Sequence, residues 1–97
     1  MNTDSSRNSQ QNVSRNRFEF EEGGQTAYLE FEVDGHGWMT LWHTEVPSQL
    51  RGRGIAGMLA QTAFEYAREN KLKVDVICPV ALDYVQKHPE FKDLIGK

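Results

Sequence analysis

A loop rich in glycine and arginine, between residues 46 and 56, carries the residue types best suited to chemistry in this chain. Gly52 and Gly54 have no Cβ, so a ligand can come close to the backbone there. Arg51 and Arg53 add positive charge and N–H donors arranged to contact phosphate oxygens in pairs. An amphipathic segment follows, and the start of a helix has unpaired N–H groups and a partial positive charge. The pattern predicts a phosphate-binding loop, although structural turns use the same glycines.

Three further side chains on either side of this loop could transfer protons or an acyl group. Cys78 follows a short apolar segment, and reactive groups in open α/β sheets collect at the carboxyl ends of strands. It is a candidate nucleophile or proton donor, or else a buried apolar residue. His43 and Glu45 precede the loop, and either could remove a proton from a substrate or serve a purely structural role. His43 is also the expected basic partner of Cys78, because a reactive thiol needs one nearby.

The elements that position these residues follow from the periodicity of the sequence. Residues 18–21 alternate between apolar and acidic, and Gly23-Gly24 is a hairpin signal. Residues 27–33 alternate in the same way, and a second glycine-rich turn leads into a longer strand at 38–46. The first half of the chain is therefore expected to be an antiparallel meander of three strands.

The second half combines helices with one more strand. Apolar residues recur every four positions from Ile55, which predicts a helix that ends near Asn70. A short strand at 73–77 and a helix at 79–87 follow, with proline at the first position of that helix. The order strand, helix, strand predicts a right-handed crossover that sets strands 38–46 and 73–77 parallel. The expected fold class is α/β (α+β), with a mixed sheet and a short C-terminal helix.

Composition restricts the function further. Residues 1–17 are almost entirely polar, so we expect a disordered tail followed by a domain at 18–97. The net charge of −3 argues against nucleic acid as the main ligand and is compatible with a cationic substrate. One cysteine and three scattered histidines predict neither a disulfide nor a metal site. No signal peptide or membrane span is predicted, so a cytoplasmic protein is expected.

At this point the chain resembles the GNAT N-acetyltransferase superfamily. Residues 49–54, Gln-Leu-Arg-Gly-Arg-Gly, fit its motif Q/R-x-x-G-x-G/A. The segments His43-Thr44-Glu45-Val46, Cys78-Pro79 and His88-Pro89-Glu90-Phe91, in this order, are similar to those of very short GNAT-like proteins that consist of the cofactor-binding core. The resemblance covers roughly residues 18–95.

The resemblance implies a site for acetyl-CoA without a metal, in which loop amides hold the diphosphate and two splayed parallel strands hold the pantetheine arm. It also implies a bulge in strand 38–46, which leaves the directions of His43 and Glu45 open. Glu45 matches the glutamate that is the base in some members, and Tyr84 matches a tyrosine that protonates the leaving thiolate. The implied cofactor-binding residues are Val46, Gln49, Leu50, Arg51, Gly52, Arg53, Gly54, Ile55, Ala56 and Cys78.

The implied function is transfer of an acetyl group from acetyl-CoA to an amine, either a small amine or a protein lysine. The helix pair that usually precedes the meander and helps to build the acceptor site has no counterpart in this chain. Two alternatives therefore stay open: a CoA-binding module without turnover, and a small protein-interaction domain. A monomer or weak dimer is expected.

Overall fold

Alternating apolar residues build the first three strands, and each tight turn between them contains glycines with positive φ. The computed structural model describes residues 16–96, so most of the expected tail lies outside the described residues. The strands are β1 (Asn16–Glu22), β2 (Gln25–Val33) and β3 (Trp38–Glu45). β1 begins two residues earlier than expected, because Asn16 and Arg17 still pair with β2.

The second half alternates helices with one strand, as the periodicity predicts. Its elements are the 3₁₀ helix Ser48–Leu50, α1 (Ile55–Glu69), β4 (Lys73–Val76), α2 (Pro79–Lys87) and the 3₁₀ helix Pro89–Leu94. α2 begins at proline, whose missing N–H costs nothing at that position, and it ends before a second proline. None of the helices in this part of the chain is both long and apolar enough to span a bilayer.

The four strands form one sheet in the order β1-β2-β3-β4. β1, β2 and β3 are antiparallel neighbours, and β4 pairs with β3 in parallel. After the last 3₁₀ helix, Ile95 forms a parallel bridge with Val74 on the free edge of β4. The sheet is mixed, and the two strands that α1 connects are parallel. Both observations confirm the expected fold class.

One face of the sheet packs against both helices and forms the core. The strands contribute fully buried side chains such as Leu29 and Leu41, and α1 contributes Phe64. The ring of Phe64 lies 5.5 Å from that of Phe91, so the C-terminal 3₁₀ helix is held against α1. The opposite face carries no buried residue in the described strands, which leaves it accessible.

Leu41→Ala tests the importance of the strand at the centre of this core. Leu41 has no exposed surface, so the truncation removes apolar contacts and leaves a cavity. We expect a loss of about 2–5 kcal/mol in the free energy of unfolding, measured by urea denaturation. Thr40→Ala on the accessible face is the matched control, with an expected change within about 1 kcal/mol. Equal losses for the two variants would contradict this description of the core.

Candidate functional site

The glycine loop connects β3 to α1 and adopts a conformation that depends on its glycines. Gly52 and Gly54 have φ angles of 79° and 77°, in the left-handed region that other residues rarely occupy. A Cβ built at either position would meet nothing within 4 Å, so the requirement for glycine comes from the backbone angle. The same open space allows a ligand to approach the backbone directly.

The first turn of α1 fits an anion. Gly54 is the N-cap residue, and no side chain accepts a hydrogen bond from the first amides of the helix. No acidic side chain lies in this turn, so nothing in the helix itself offsets the partial positive charge of its N-terminus. A diphosphate could accept hydrogen bonds from these amides, and the residues therefore fit the anionic part of acetyl-CoA.

The loop residues named from the sequence have different positions in the structure. Leu50 and Ile55 are buried at 3% and 5% exposure, so their side chains anchor the loop in the core and only their backbone is available to a ligand. The side chain of Gln49 accepts a hydrogen bond from Ser48. Ala56 lies in the first turn of α1, where its amide belongs to the anion-binding group.

The two arginines of the loop also differ. The Nε of Arg51 donates a hydrogen bond to the carbonyl oxygen of Val46 at 3.0 Å, which closes the loop on itself. Arg53 forms an ion pair with Glu22 at the end of β1, with Nη1–Oε2 and Nη2–Oε1 distances of 2.7 and 2.9 Å. The hydrogen bond and charge of Arg53 lower the pKa of Glu22, so this carboxylate stays ionised at neutral pH.

β3 extends past the end of its pairing with β4, next to this loop, and we call the region beyond the last pair the gap. The parallel pairing stops at Leu41 and Val76, whereas β3 continues to pair with β2 as far as Glu45. The amides of Ile77 and Cys78 both donate to the carbonyl oxygen of Leu41, and the chain then leaves the sheet to enter α2. The early end of the parallel pairing is compatible with the splayed strands that the family resemblance implies.

A β-bulge at Trp42 decides which face each neighbouring side chain occupies. Glu30 pairs with His43 and Phe31 pairs with Leu41, so Trp42 is the extra residue. Beyond it, Thr44 pairs with the buried Leu29 and therefore faces the helices. A strand without the bulge would have placed His43 and Glu45 on that face instead.

The bulge therefore separates the catalytic candidates. The Oγ1 of Thr44 lies 3.1 Å from the sulfur of Cys78, which is 1% exposed. His43, expected beside this thiol, lies on the other face of the sheet, where its Nε2 is 3.1 Å from an oxygen of Glu45. The side chains of His43 and Glu45 are about half exposed and form one pair that can accept a proton.

Tyr84 lies where α1 and α2 meet. Its ring stacks on His88 at 4.0 Å and lies 6.2 Å from the ring of Phe64. Burial raises the pKa of its phenol, and the negative charges of Glu90 and Glu65 raise it further. The phenol therefore stays protonated at neutral pH, as a proton donor requires.

Two residues of this region were not predicted from the sequence to belong to the site. Glu22 lies in none of the motifs, Thr44 lies between His43 and Glu45 without a predicted role, and each contacts a partner more than thirty residues away. Only the bulge and the β1–β2 hairpin bring these partners together. Within residues 16–96, no group of three His, Cys, Asp or Glu side chains is placed to hold a metal ion.

Gly54→Ala tests the dependence of the loop on its backbone conformation. We expect the free energy of unfolding to fall by about 1–2 kcal/mol, because alanine is disfavoured at positive φ. Gly57→Ala in α1 is the matched control: its Cβ would lie 3.7 Å from Tyr84, an ordinary contact, and alanine favours the helix by about 1 kcal/mol. Urea denaturation of both variants measures the difference, and a stabilised Gly54→Ala would contradict the loop geometry.

Comparison with known proteins agrees with this architecture. The profile of the family described as GCN5-related N-acetyl-transferase matches residues 17–94. Protein NATD1 of Xenopus tropicalis is 41% identical over 63 residues, which cover 65% of this chain and 58% of that protein. Protein NATD1 of Homo sapiens is also 41% identical over 63 residues, covering 65% and 56%. For protein NATD1 of Danio rerio the identity is 37% over 71 residues, covering 71% and 64%.

The matched part of the chain spans less than two thirds of the length of these relatives. The family profile, in contrast, covers nearly all of the sheet and both helices. The glycine loop, the mixed sheet and this match together place the protein in the GCN5-related N-acetyl-transferase family.

Proposed function

We propose that this protein transfers an acetyl group from acetyl-CoA to an amine. The observation that carries the proposal is the position of the anion-binding loop directly beside the gap between β3 and β4. A ligand that has both a diphosphate and a long amide-containing arm fits this combination. The family match supports the same class of reaction.

Two elements would bind different parts of acetyl-CoA: the start of α1 and the edge of β3. The amides at the start of α1, with Arg51 beside them, are suited to the diphosphate. The pairing of β3 with β4 ends at Leu41, and the backbone groups of β3 from His43 onward are suited to pair with the amides of the pantetheine arm. Acetyl-CoA would supply an activated thioester at the open end of this gap.

The proposed transfer needs a base and a proton donor. His43, supported by Glu45, is suited to accept the proton that the acceptor amine loses as its nitrogen forms the new C–N bond. The C–S bond breaks, and the departing sulfur takes a proton, for which Tyr84 and the thiol of Cys78 are the candidate donors. Tyr84 is protonated at neutral pH, and its raised pKa makes it a weaker acid than a free phenol.

The surroundings of Cys78 favour direct transfer over a covalent acetyl-cysteine step. A thiolate forms readily beside a base or a cation, whereas the polar side-chain partner of this sulfur among residues 16–96 is the hydroxyl of Thr44. Burial at 1% exposure also limits its reach toward an acceptor. We therefore assign Cys78 to the wall of the site.

The accessible face of the sheet favours a cationic acceptor. Its carboxylates outnumber its cations, which are Arg17 and Lys73, and the guanidinium of Arg17 already lies 3.9 Å from the centre of the Tyr28 ring. Aromatic rings and carboxylates together attract ammonium groups, as in a small polyamine or a protein lysine. The outward-facing carboxylates are Glu19, Glu21, Glu30, Glu32, Glu45 and Asp75.

An amide NMR titration with acetyl-CoA tests the cofactor site. We expect shifts at residues 43–56 and 76–84, with adenosine diphosphate reproducing only those of the glycine loop. Intact mass after incubation with acetyl-CoA is expected to stay unchanged, because transfer is direct. Turnover is measured as release of free CoA thiol in the presence of spermidine or a lysine-containing peptide.

Each other outcome identifies a different function. Binding without transfer to either amine would indicate a CoA-binding module. The absence of any response to acetyl-CoA would overturn the proposed function and leave an interaction domain. A gain of one acetyl mass that disappears in Cys78→Ala would replace direct transfer by the covalent route.

His43→Ala tests the proposed base. We expect kcat/KM for thiol release to fall by about 100-fold or more, because the amine loses its proton acceptor. Added imidazole should restore part of the rate. His36→Ala, in the exposed turn between β2 and β3, is the matched control and should leave the rate unchanged. Equal rates for the two variants would exclude His43 as the base.

A further inference from the structure

The ion pair between Arg53 and Glu22 connects the glycine loop to the β1–β2 hairpin. Glu22 is the last residue of β1, directly before the turn at Gly23 and Gly24. Both terminal nitrogens of Arg53 contact the two carboxylate oxygens, at 2.7 and 2.9 Å. The two residues are 31 positions apart in sequence, so this contact exists only in the folded protein.

The pair occupies the part of Arg53 that an anion would need. A guanidinium that donates through both terminal nitrogens to a carboxylate cannot present the same two donors to a phosphate. The carboxylate also neutralises the charge of Arg53 at a loop whose other features attract anions. Arg51 is different, because its Nε donates to the backbone and its terminal nitrogens have no partner within residues 16–96.

The ion pair is also exposed to solvent, so another anion can replace Glu22 as the partner of Arg53. The side chains of Arg53 and Glu22 are 47% and 46% exposed, and ion pairs in contact with water contribute little net stability. A diphosphate carries more negative charge than one carboxylate and would lie against the amides of α1 as well, so it can displace Glu22 from the guanidinium.

We infer that Arg53 has two competing partners: Glu22 holds its guanidinium in the free protein, and the anion bound at the glycine loop takes it over. Glu22 thereby lowers the affinity for the anion, and binding releases the β1–β2 hairpin from the loop. The inference rests on the proposed function in one respect, since it takes the diphosphate of acetyl-CoA as that anion.

Glu22→Gln removes the competitor and keeps the shape of the side chain. We expect the affinity for acetyl-CoA and for inorganic diphosphate to rise by about two- to fivefold, measured by calorimetry at constant ionic strength. Glu21→Gln is the matched control, because it removes the same charge from the neighbouring residue of β1, which points to the opposite side of the strand. Its affinity for acetyl-CoA and for diphosphate should equal that of the unmodified protein, because Glu21 lies on the accessible face of the sheet, which is proposed for the acceptor; acetyl transfer to the amine is not measured with this control.

A double-mutant cycle separates competition for Arg53 from general repulsion. In an Arg53→Gln background, Glu22→Gln should change neither affinity, because the shared partner is gone. The amide signals of Gly23 and Gly24 should shift when diphosphate binds to the unmodified protein and stay in place in Arg53→Gln. Thermal unfolding of each variant verifies that it is folded.

The possible results distinguish this inference from the proposed function. Equal affinities for the Glu22→Gln and Glu21→Gln variants, a weaker Glu22→Gln, or a gain that persists without Arg53 would overturn the competition while leaving acetyl transfer intact. Binding of diphosphate with the expected gain but no binding of acetyl-CoA would support the competition and overturn the proposed function. A failure to bind either probe would overturn both.

Discussion

The single extra residue at Trp42 is the constraint on which the arrangement of this site depends. Side chains alternate along a strand, so one inserted residue reverses the faces of everything that follows it in β3. Thr44 consequently meets Cys78 on the helix side, while His43 and Glu45 point to the accessible face. The bulge lies at the position where β4 separates from β3, so the change of face and the gap occur together.

Buried side chains at both ends of the glycine loop stabilise it in this small domain. Leu50 and Ile55 fix the loop at both ends by burying their side chains beneath it. The backbone between them can therefore keep two glycines at positive φ, with open space around both. Burial of apolar side chains at both ends of the loop adds to the stability of a conformation that the two glycines permit.

Electrostatics divide the domain into two unlike regions. The start of α1 and the arginines beside it attract anions, although the chain as a whole has a net charge of −3. The accessible face of the sheet concentrates carboxylates and aromatic rings, which suit a cation. Glu22 stands between the two regions and bonds to the loop. For the proposed transfer, the anionic donor would bind at the loop and the cationic acceptor at the accessible face, and the amine nitrogen would have to reach the thioester carbon where the pairing of β3 and β4 ends.

The sequence alone predicts most of the fold and part of the site. Alternation in β1 to β3, the four-residue repeat of α1 and the prolines at both ends of α2 are local signals, and the structure agrees with each. The glycine loop is likewise local, because Gly52 and Gly54 are themselves the reason for its conformation.

Only the tertiary structure decided which face of the sheet each side chain occupies and which residue it contacts. A bulge depends on how two strands align, so neither β2 nor β3 reveals by itself that His43 and Cys78 lie on opposite faces. Ion pairing between Arg53 and Glu22 depends in the same way on chain segments that meet after folding. The sequence determined which elements form, because periodicity and turn chemistry act between near neighbours. The roles of individual side chains required the folded sheet, because they arise from contacts between residues far apart in the chain.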